Sequence, residues 1–203
     1  MYRYYIKRFF DVMVSILALP FFIIVMIPVS IMIKLEDKGP VFYNAPRLGK
    51  DMKEFPMYKF RSMKVNAPDI RNADGSTFNS DDDTRVTKVG RILRKTSIDE
   101  IPQIFNLIKG DMSFVGPRPS PLGNKDIYPK EFFRKFDVSP GITGYNQAIL
   151  RNKSTMEQRV KNDIYYVENI SFLLDIKIIF MTLVSVFMSK NINRNDNSRK
   201  EKV

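Results

Sequence analysis

VMVSILALPFFIIVMIPVSIMI, residues 12–33, is a run of 22 positions without a charged side chain. As a straight helix it would extend about 33 Å, enough to cross a hydrocarbon core of about 30 Å. It is therefore a membrane segment. The apolar run is too long for a cleavable leader's core, and no small-x-small site follows it. Basic residues lie near both ends, Lys7 and Arg8 before it and Lys34 after it, whereas a single span concentrates its positive flank on one side. Pro20 and Pro28 interrupt the run, and each removes a backbone donor. Two forms satisfy this pattern: an ordinary kinked span, and a helix that breaks near Pro20 and returns to the face it entered.

Working outward, the rest of the chain reads as a globular domain without internal repeats. Pro40–Tyr43 and Phe55–Phe60 are aromatic-rich runs around Leu48-Gly49-Lys50-Asp51 and predict a small hairpin. Residues 66–84 are polar and rich in turn formers, so they predict a loop. Helices are expected over 84–95, 98–109 with Gly110 as stop, 128–136, and 155–169 behind a Ser154-x-x-Glu157 capping box. A final helix over 172–188 carries only Asp175 and Lys177 as charges and suits an interfacial or core-packing role. The tail, 190–203, has almost nothing to bury and is expected to be disordered. The fold class is α+β and mainly helical, divided as residues 1–38 (membrane helix), 39–189 (catalytic domain with a short β-hairpin and interfacial helices) and 190–203 (basic tail).

Composition narrows the chemistry. The 203 residues include no His and no Cys, which excludes Ser-His-Asp and thiolate nucleophiles, imidazole acid–base work and thiolate or imidazole zinc sites. Carboxylates, Lys, Arg, Tyr and hydroxyls remain, and any metal would be an oxygen-liking ion such as Mg²⁺. A formal net charge of +11 predicts attraction to polyanions, among them phosphorylated substrates and anionic membrane lipids. No nucleic-acid partner is expected, because the basic residues carry no groove-reading motif.

In this basic chain Asp99-Glu100 stands out. Ser97-Ile98-Asp99-Glu100 is also a capping-box pattern, so the acids can be read simply as helix-start chemistry. The two readings coexist, since a helix N-terminus also favours bound phosphate and keeps a carboxylate ionised. Adjacent side chains diverge by about 100° on an α-helix, so the pair cannot flank a glycosidic bond, but it can share a Mg²⁺ and a phosphate. A carboxylate so placed can attack phosphorus if cations neutralise the repelling oxygens. Arg94 and Lys95 precede the pair, and Arg118 follows between Pro117 and Pro119.

Arg94-Lys95-Thr96-Ser97-Ile98-Asp99-Glu100-Ile101-Pro102-Gln103 and Gly110-Asp111-Met112-Ser113-Phe114-Val115-Gly116-Pro117-Arg118-Pro119 resemble the core of the bacterial sugar transferase family, the monotopic phosphoglycosyl transferases. Lys7-Arg8 to Pro20, Lys59-Phe60-Arg61-Ser62-Met63, and Pro140-Gly141-Ile142-Thr143-Gly144 with Gln147, Arg151 and Asn152 agree, so the resemblance extends to about residue 188. It implies transfer of sugar 1-phosphate from a UDP-sugar to a polyprenyl (undecaprenyl) phosphate at the bacterial inner membrane, with the catalytic domain on the cytoplasmic face. UMP would leave, and the lipid-linked diphosphosugar would start a capsule, exopolysaccharide or glycoconjugate chain. It also implies Asp99 as nucleophile of a ping-pong reaction, Mg²⁺ held by Asp99 and Glu100, and substrate contacts from Arg94, Arg118, Lys59, Arg61, Gln147 and Arg151. The membrane element it implies is re-entrant, broken at Pro20. A homodimer is compatible with the sequence. Two departures are visible: Gln147 leads into Ala148-Ile149-Leu150-Arg151-Asn152 where many members carry Gly-Arg, and Leu19 replaces the small polar residue usual before the proline.

Two rivals stand beside this reading. Asp81-Asp82-Asp83 fits the D-x-D metal motif of a nucleotide-sugar glycosyltransferase, although so polar a loop also suits turn chemistry. A non-catalytic basic membrane module would explain the charge but not the ordered motifs.

Overall fold

The computed structural model describes residues 1–70, 78, 80, 82–126, 128–150 and 154–187. A π-helical turn, Tyr2–Ile6, leads into α1, Lys7–Asp37, whose range includes both Pro20 and Pro28. The hairpin follows as β1, Phe42–Leu48, and β2, Glu54–Phe60, antiparallel with Phe42 opposite Phe60 and Leu48 opposite Glu54. Beyond the polar loop come α2, Lys88–Thr96, a 3-10 segment Ile98–Gln103, and α3, Ile104–Lys109. The short strands β3, Ser113–Val115, and β4, Ser120–Pro121, precede a 3-10 segment Lys130–Asp137. The chain continues as β5, Gly141–Thr143, then α4, Tyr145–Leu150, α5, Met156–Glu168, and α6, Phe172–Phe187. β4 pairs with β1, and β3 pairs in parallel with β5. The molecule is mainly helical with a small sheet component, as the sequence predicts. The tail 190–203 lies outside the described residues, as do 71–77, 79 and 81 of the predicted loop.

Long and apolar enough to cross a membrane, the N-terminal helix is nevertheless not isolated from the domain. Its buried positions, Asp11, Ser15, Phe22, Val29 and Ile33, recur at intervals of four and seven, one stripe of an α-helix. Phe22, Val29 and Ile33 pack with Phe60, Leu93 and Ile104, while the other face leaves Phe21, Ile24, Ile27, Ile31 and Leu35 exposed. Both ends are tied to the same domain. Near the N-terminus, the Arg8 guanidinium donates to the carbonyls of Leu107 and Ile108, and Asp11 Oδ1 accepts from the Phe114 amide at 2.9 Å. At the C-terminus, Glu36 accepts from the Lys88 and Val89 amides at 2.7 and 2.8 Å, and Asp37 pairs with Arg61.

Four local expectations need correction. Ser97 precedes the 3-10 segment without a side-chain capping bond: it adopts φ 58° and closes α2 on its C-terminal side. Pro102 lacks the amide that an α-helix over 98–109 requires, so residues 98–103 wind as 3-10 and only 104–109 are α-helical, ending at Gly110 with φ 94°. The capping box of α5 is Thr155 with Gln158, one residue on from the predicted Ser154 and Glu157. Residues 128–136, expected as an α-helix, fall mostly in the 3-10 segment Lys130–Asp137.

Candidate active site

The acidic pair stands where α2 gives way to the 3-10 segment. The left-handed turn at Ser97 reverses the chain, and the tighter winding of about 120° per residue turns the two side chains further apart than an α-helix would. Asp99 is buried, whereas the Glu100 side chain keeps 25% of its surface. β2 delivers Lys59, whose ammonium meets Glu100 Oε1 at 2.6 Å. That strand is fixed by fully buried Asn106, which accepts from the Tyr58 amide at 3.0 Å and donates to the carbonyl of Pro56 at 2.8 Å. The amide side chain thereby does for β2 what a neighbouring strand would.

Arg118 arrives from the chain after β3. Its backbone is set by a crossing of extended segments, in which the Gly116 amide donates to Thr143 O at 2.8 Å and the Gly141 amide to Pro117 O at 2.9 Å. A Cβ on Gly141 or Gly144 would lie 2.1 or 2.2 Å from backbone atoms of Gly116, so close chain approach, not a left-handed turn, requires glycine at both positions. The Arg118 guanidinium, 58% exposed, reaches Glu100 Oε1 at 3.4 Å. Burial opposes ionisation of Glu100, but Lys59 and then Arg118 outweigh it and hold its pKa at about 2. Both of these cations contact the same oxygen, Oε1.

Arg94, in the last turn of α2, donates from Nε to Ser62 Oγ at 2.9 Å. Arg61 is employed differently from the substrate contact the sequence suggests. It is buried against the end of α1, paired with Asp37 and donating to the carbonyls of Pro40 and Met63. Gln147 sits on α4 against Gly144, its amide atoms buried without a hydrogen-bond partner. Arg151 lies outside the described residues, as does Asp81. Asp83 is engaged by its neighbour: Arg85 donates to both carboxylate oxygens, which holds the Asp83 pKa below its ordinary value.

Sequence reasoning overlooked Asn106 and Lys135, and gave Ser62 no role beyond its place in a motif. Asn106 lacks any motif signal of its own. Lys135, embedded in Phe132-Phe133-Arg134-Lys135-Phe136, reads as a surface base, yet it is 5% exposed and donates to Arg118 O at 3.0 Å.

Among the described residues no three acidic side chains cluster as a self-sufficient metal cage. The residues that could hold an ion needing less are the Asp99 and Glu100 carboxylates, consecutive in sequence, and such a set would suit Mg²⁺, which keeps waters and takes phosphate oxygens as further ligands.

The family model described as "Bacterial sugar transferase" matches residues 2–189. A UDP-N-acetylgalactosamine-undecaprenyl-phosphate N-acetylgalactosaminephosphotransferase of Aeromonas hydrophila is 38% identical over 188 residues, covering 90% of this chain and 44% of that protein. A UDP-glucose:undecaprenyl-phosphate glucose-1-phosphate transferase of Klebsiella pneumoniae is 38% identical, covering 91% of this chain and 41% of that protein. The chain thus spans less than half the length of these two relatives. It is nearly coextensive with a third, the uncharacterized sugar transferase EpsL of Bacillus subtilis, 37% identical over 97% of this chain and 95% of the relative. With its helix, hairpin and acidic pair all inside the matched span, the chain belongs to the bacterial sugar transferase family.

Proposed function

We propose that the protein transfers sugar 1-phosphate from a UDP-sugar to undecaprenyl or a similar polyprenyl phosphate, in two steps through Asp99. The observation that carries this reading is the clamp on Glu100 by Lys59 and Arg118, directly beside the buried Asp99. In the first step an Asp99 carboxylate oxygen attacks the sugar-bearing phosphorus of the donor. A P–O bond to the bridging oxygen breaks, and UMP leaves with that oxygen and the bonding electron pair. In the second, a phosphate oxygen of the lipid attacks the same phosphorus, and the Asp99 carboxylate departs. Positive charge from Arg118, Lys59 and Arg94 offsets the charge on the non-bridging oxygens, and Glu100 keeps Lys59 and Arg118 in place. Mg²⁺ held by Asp99 and Glu100 would supply charge neutralisation at the diphosphate.

Two features support a membrane-embedded, same-face arrangement of α1. Its ends are bonded to one domain, and its outward face is apolar. A helix traversing the bilayer would place those ends about 30 Å apart on opposite sides. In this reading α1 changes direction at Pro20 in the membrane, and the domain rests on the cytoplasmic face of the inner membrane, where a lipid phosphate reaches Asp99 without leaving headgroup depth.

Incubation with UDP-sugars and Mg²⁺, without lipid, tests the first step. Intact-mass spectrometry should show one added phosphosugar and stoichiometric UMP, and Asp99→Asn should show neither. Retention of transfer by Asp99→Asn would refute the mechanism. Cysteines placed at Tyr5 and Lys38 should label from the same side of sealed vesicles.

A further inference from the structure

Lys135 is a charged side chain in an apolar box. Its ammonium lies over the rings of Phe132, Tyr128 and Phe136, at 4.5, 5.5 and 5.8 Å from their centroids. The nearest carboxylate, Asp163 of α5, is at 3.6 Å, and both side chains are at most 4% exposed. Burial pushes the Asp163 carboxyl above its ordinary pKa, against the pull of Lys135. A Met or Leu would fill this box at lower desolvation cost, so packing alone gives no reason for an ammonium here. What the ammonium does is donate to the carbonyl of Arg118 at 3.0 Å.

That carbonyl belongs to the peptide preceding Pro119, and Pro119 confines Arg118 to extended backbone. Two residues on, Tyr128 donates to Ser120 Oγ at 3.0 Å and itself accepts from Asn124 at 3.2 Å. The backbone around Arg118 is therefore gripped by Lys135 and the Ser120–Tyr128 contact, while its guanidinium, more than half exposed, makes among the described residues a long contact with Glu100. A long, exposed side chain holds its position through its base.

We propose that Lys135, backed by Asp163, is a positioning residue for the active site. It locks the Arg118 peptide so that the guanidinium faces the transferred phosphoryl group beside Asp99 and Glu100. Lys135 does not touch substrate, and it acts only through Arg118. This rests on the assignment of Arg118 and Asp99 to phosphoryl transfer.

The test is a double-mutant cycle on the lipid-independent step, reading UMP release and phosphosugar adduct in the full-length protein. Displacing a phosphate-binding group by about 1 Å costs up to ~100-fold in rate, so Lys135→Met should slow the step by ~10- to 100-fold, with Lys135→Arg recovering part of the loss. In an Arg118→Ala background the same Lys135→Met change should have little further effect. If Lys135→Met alone destabilises the protein through the stranded Asp163, the paired change Lys135→Met with Asp163→Leu removes both charges, and the cycle is run with that variant. Equal fold-losses in the presence and absence of Arg118, or a wild-type rate in a folded variant, would overturn the proposal. Wild-type protein that forms no adduct and releases no UMP would instead overturn the two-step mechanism on which it rests.

Discussion

Two carboxylates in this molecule each meet a lysine at 2.6 Å, Glu100 with Lys59 and Asp175 with Lys7, and their surroundings give them opposite uses. Asp175, on the largely apolar α6, is enclosed: Lys7 and the Tyr2 hydroxyl bond one oxygen, both at 2.6 Å, and the Tyr166 hydroxyl bonds the other at 2.8 Å. Every strong acceptor position faces protein, and the pair joins the start of α1 to α6 and α5. Glu100 places both its cations on one oxygen and retains a quarter of its exposure. The first is a fastener and the second a socket. An ion-pair distance does not distinguish them; the remaining valences of the carboxylate do.

The contrast is breakable. The largest effect is expected from Asp175→Ala, which strands Lys7 and should cost about 3–5 kcal/mol. The readout is thermal or denaturant unfolding in detergent, and the surviving folded fraction should keep its specific adduct-forming activity. Glu100→Gln should weigh the other way, losing roughly 100-fold in UMP release with a smaller loss of stability than Asp175→Ala, because the amide keeps the shape but loses the charge that orders Lys59 and Arg118. Equal stability losses in the two variants would erase the distinction.

Acid sharpens the same comparison. With a folded pKa of about 2, below the ordinary carboxylate value, Glu100 contributes stability that is fully present above its unfolded pKa of about 4.5. That contribution is lost as pH falls towards 2. Activity at pH 5 should therefore show no protonation of Glu100, whereas Lys59→Met, by removing the principal cation, should move the acid limb of UMP release to higher pH. The smallest effect is expected at the α2 cap: Thr87 Oγ1 accepts from the Gly90 amide at 2.9 Å, and Thr87→Ala should cost about 1 kcal/mol in unfolding with unchanged rate.

Features carried by local pattern were legible in the sequence. The apolar run before Lys34, the hairpin around Gly49 and the stop at Gly110 all follow from side-chain chemistry within a few residues. The Asp99-Glu100 pair and Arg118 were visible as motifs, but their meeting through Glu100 depends on β2 and the β3–β5 crossing. Those contacts span 18 to 41 positions and leave no periodicity. Pro102 was in plain view, yet the apolar spacing of 98–109 outvoted it, and the 3-10 winding went unread. Arg61 and Lys135 show the opposite failure: bases in a cationic chain suggest bound anionic ligands, whereas internal partners brought together by tertiary packing, Asp37 and two carbonyls for Arg61, Asp163, aromatic rings and the Arg118 carbonyl for Lys135, claim these two.

Glu36 donates no chemistry, yet its two oxygens cover the first amides of α2, the helix whose far end presents Arg94 and leads to Asp99. A cut after Lys38, the natural place to seek a water-soluble fragment, would bare those amides and strip buried Arg61 of its counter-ion. Amputation there should yield a deformed pocket, so solubility has to be engineered by repainting the outward face of α1 with polar residues and keeping its anchoring ends.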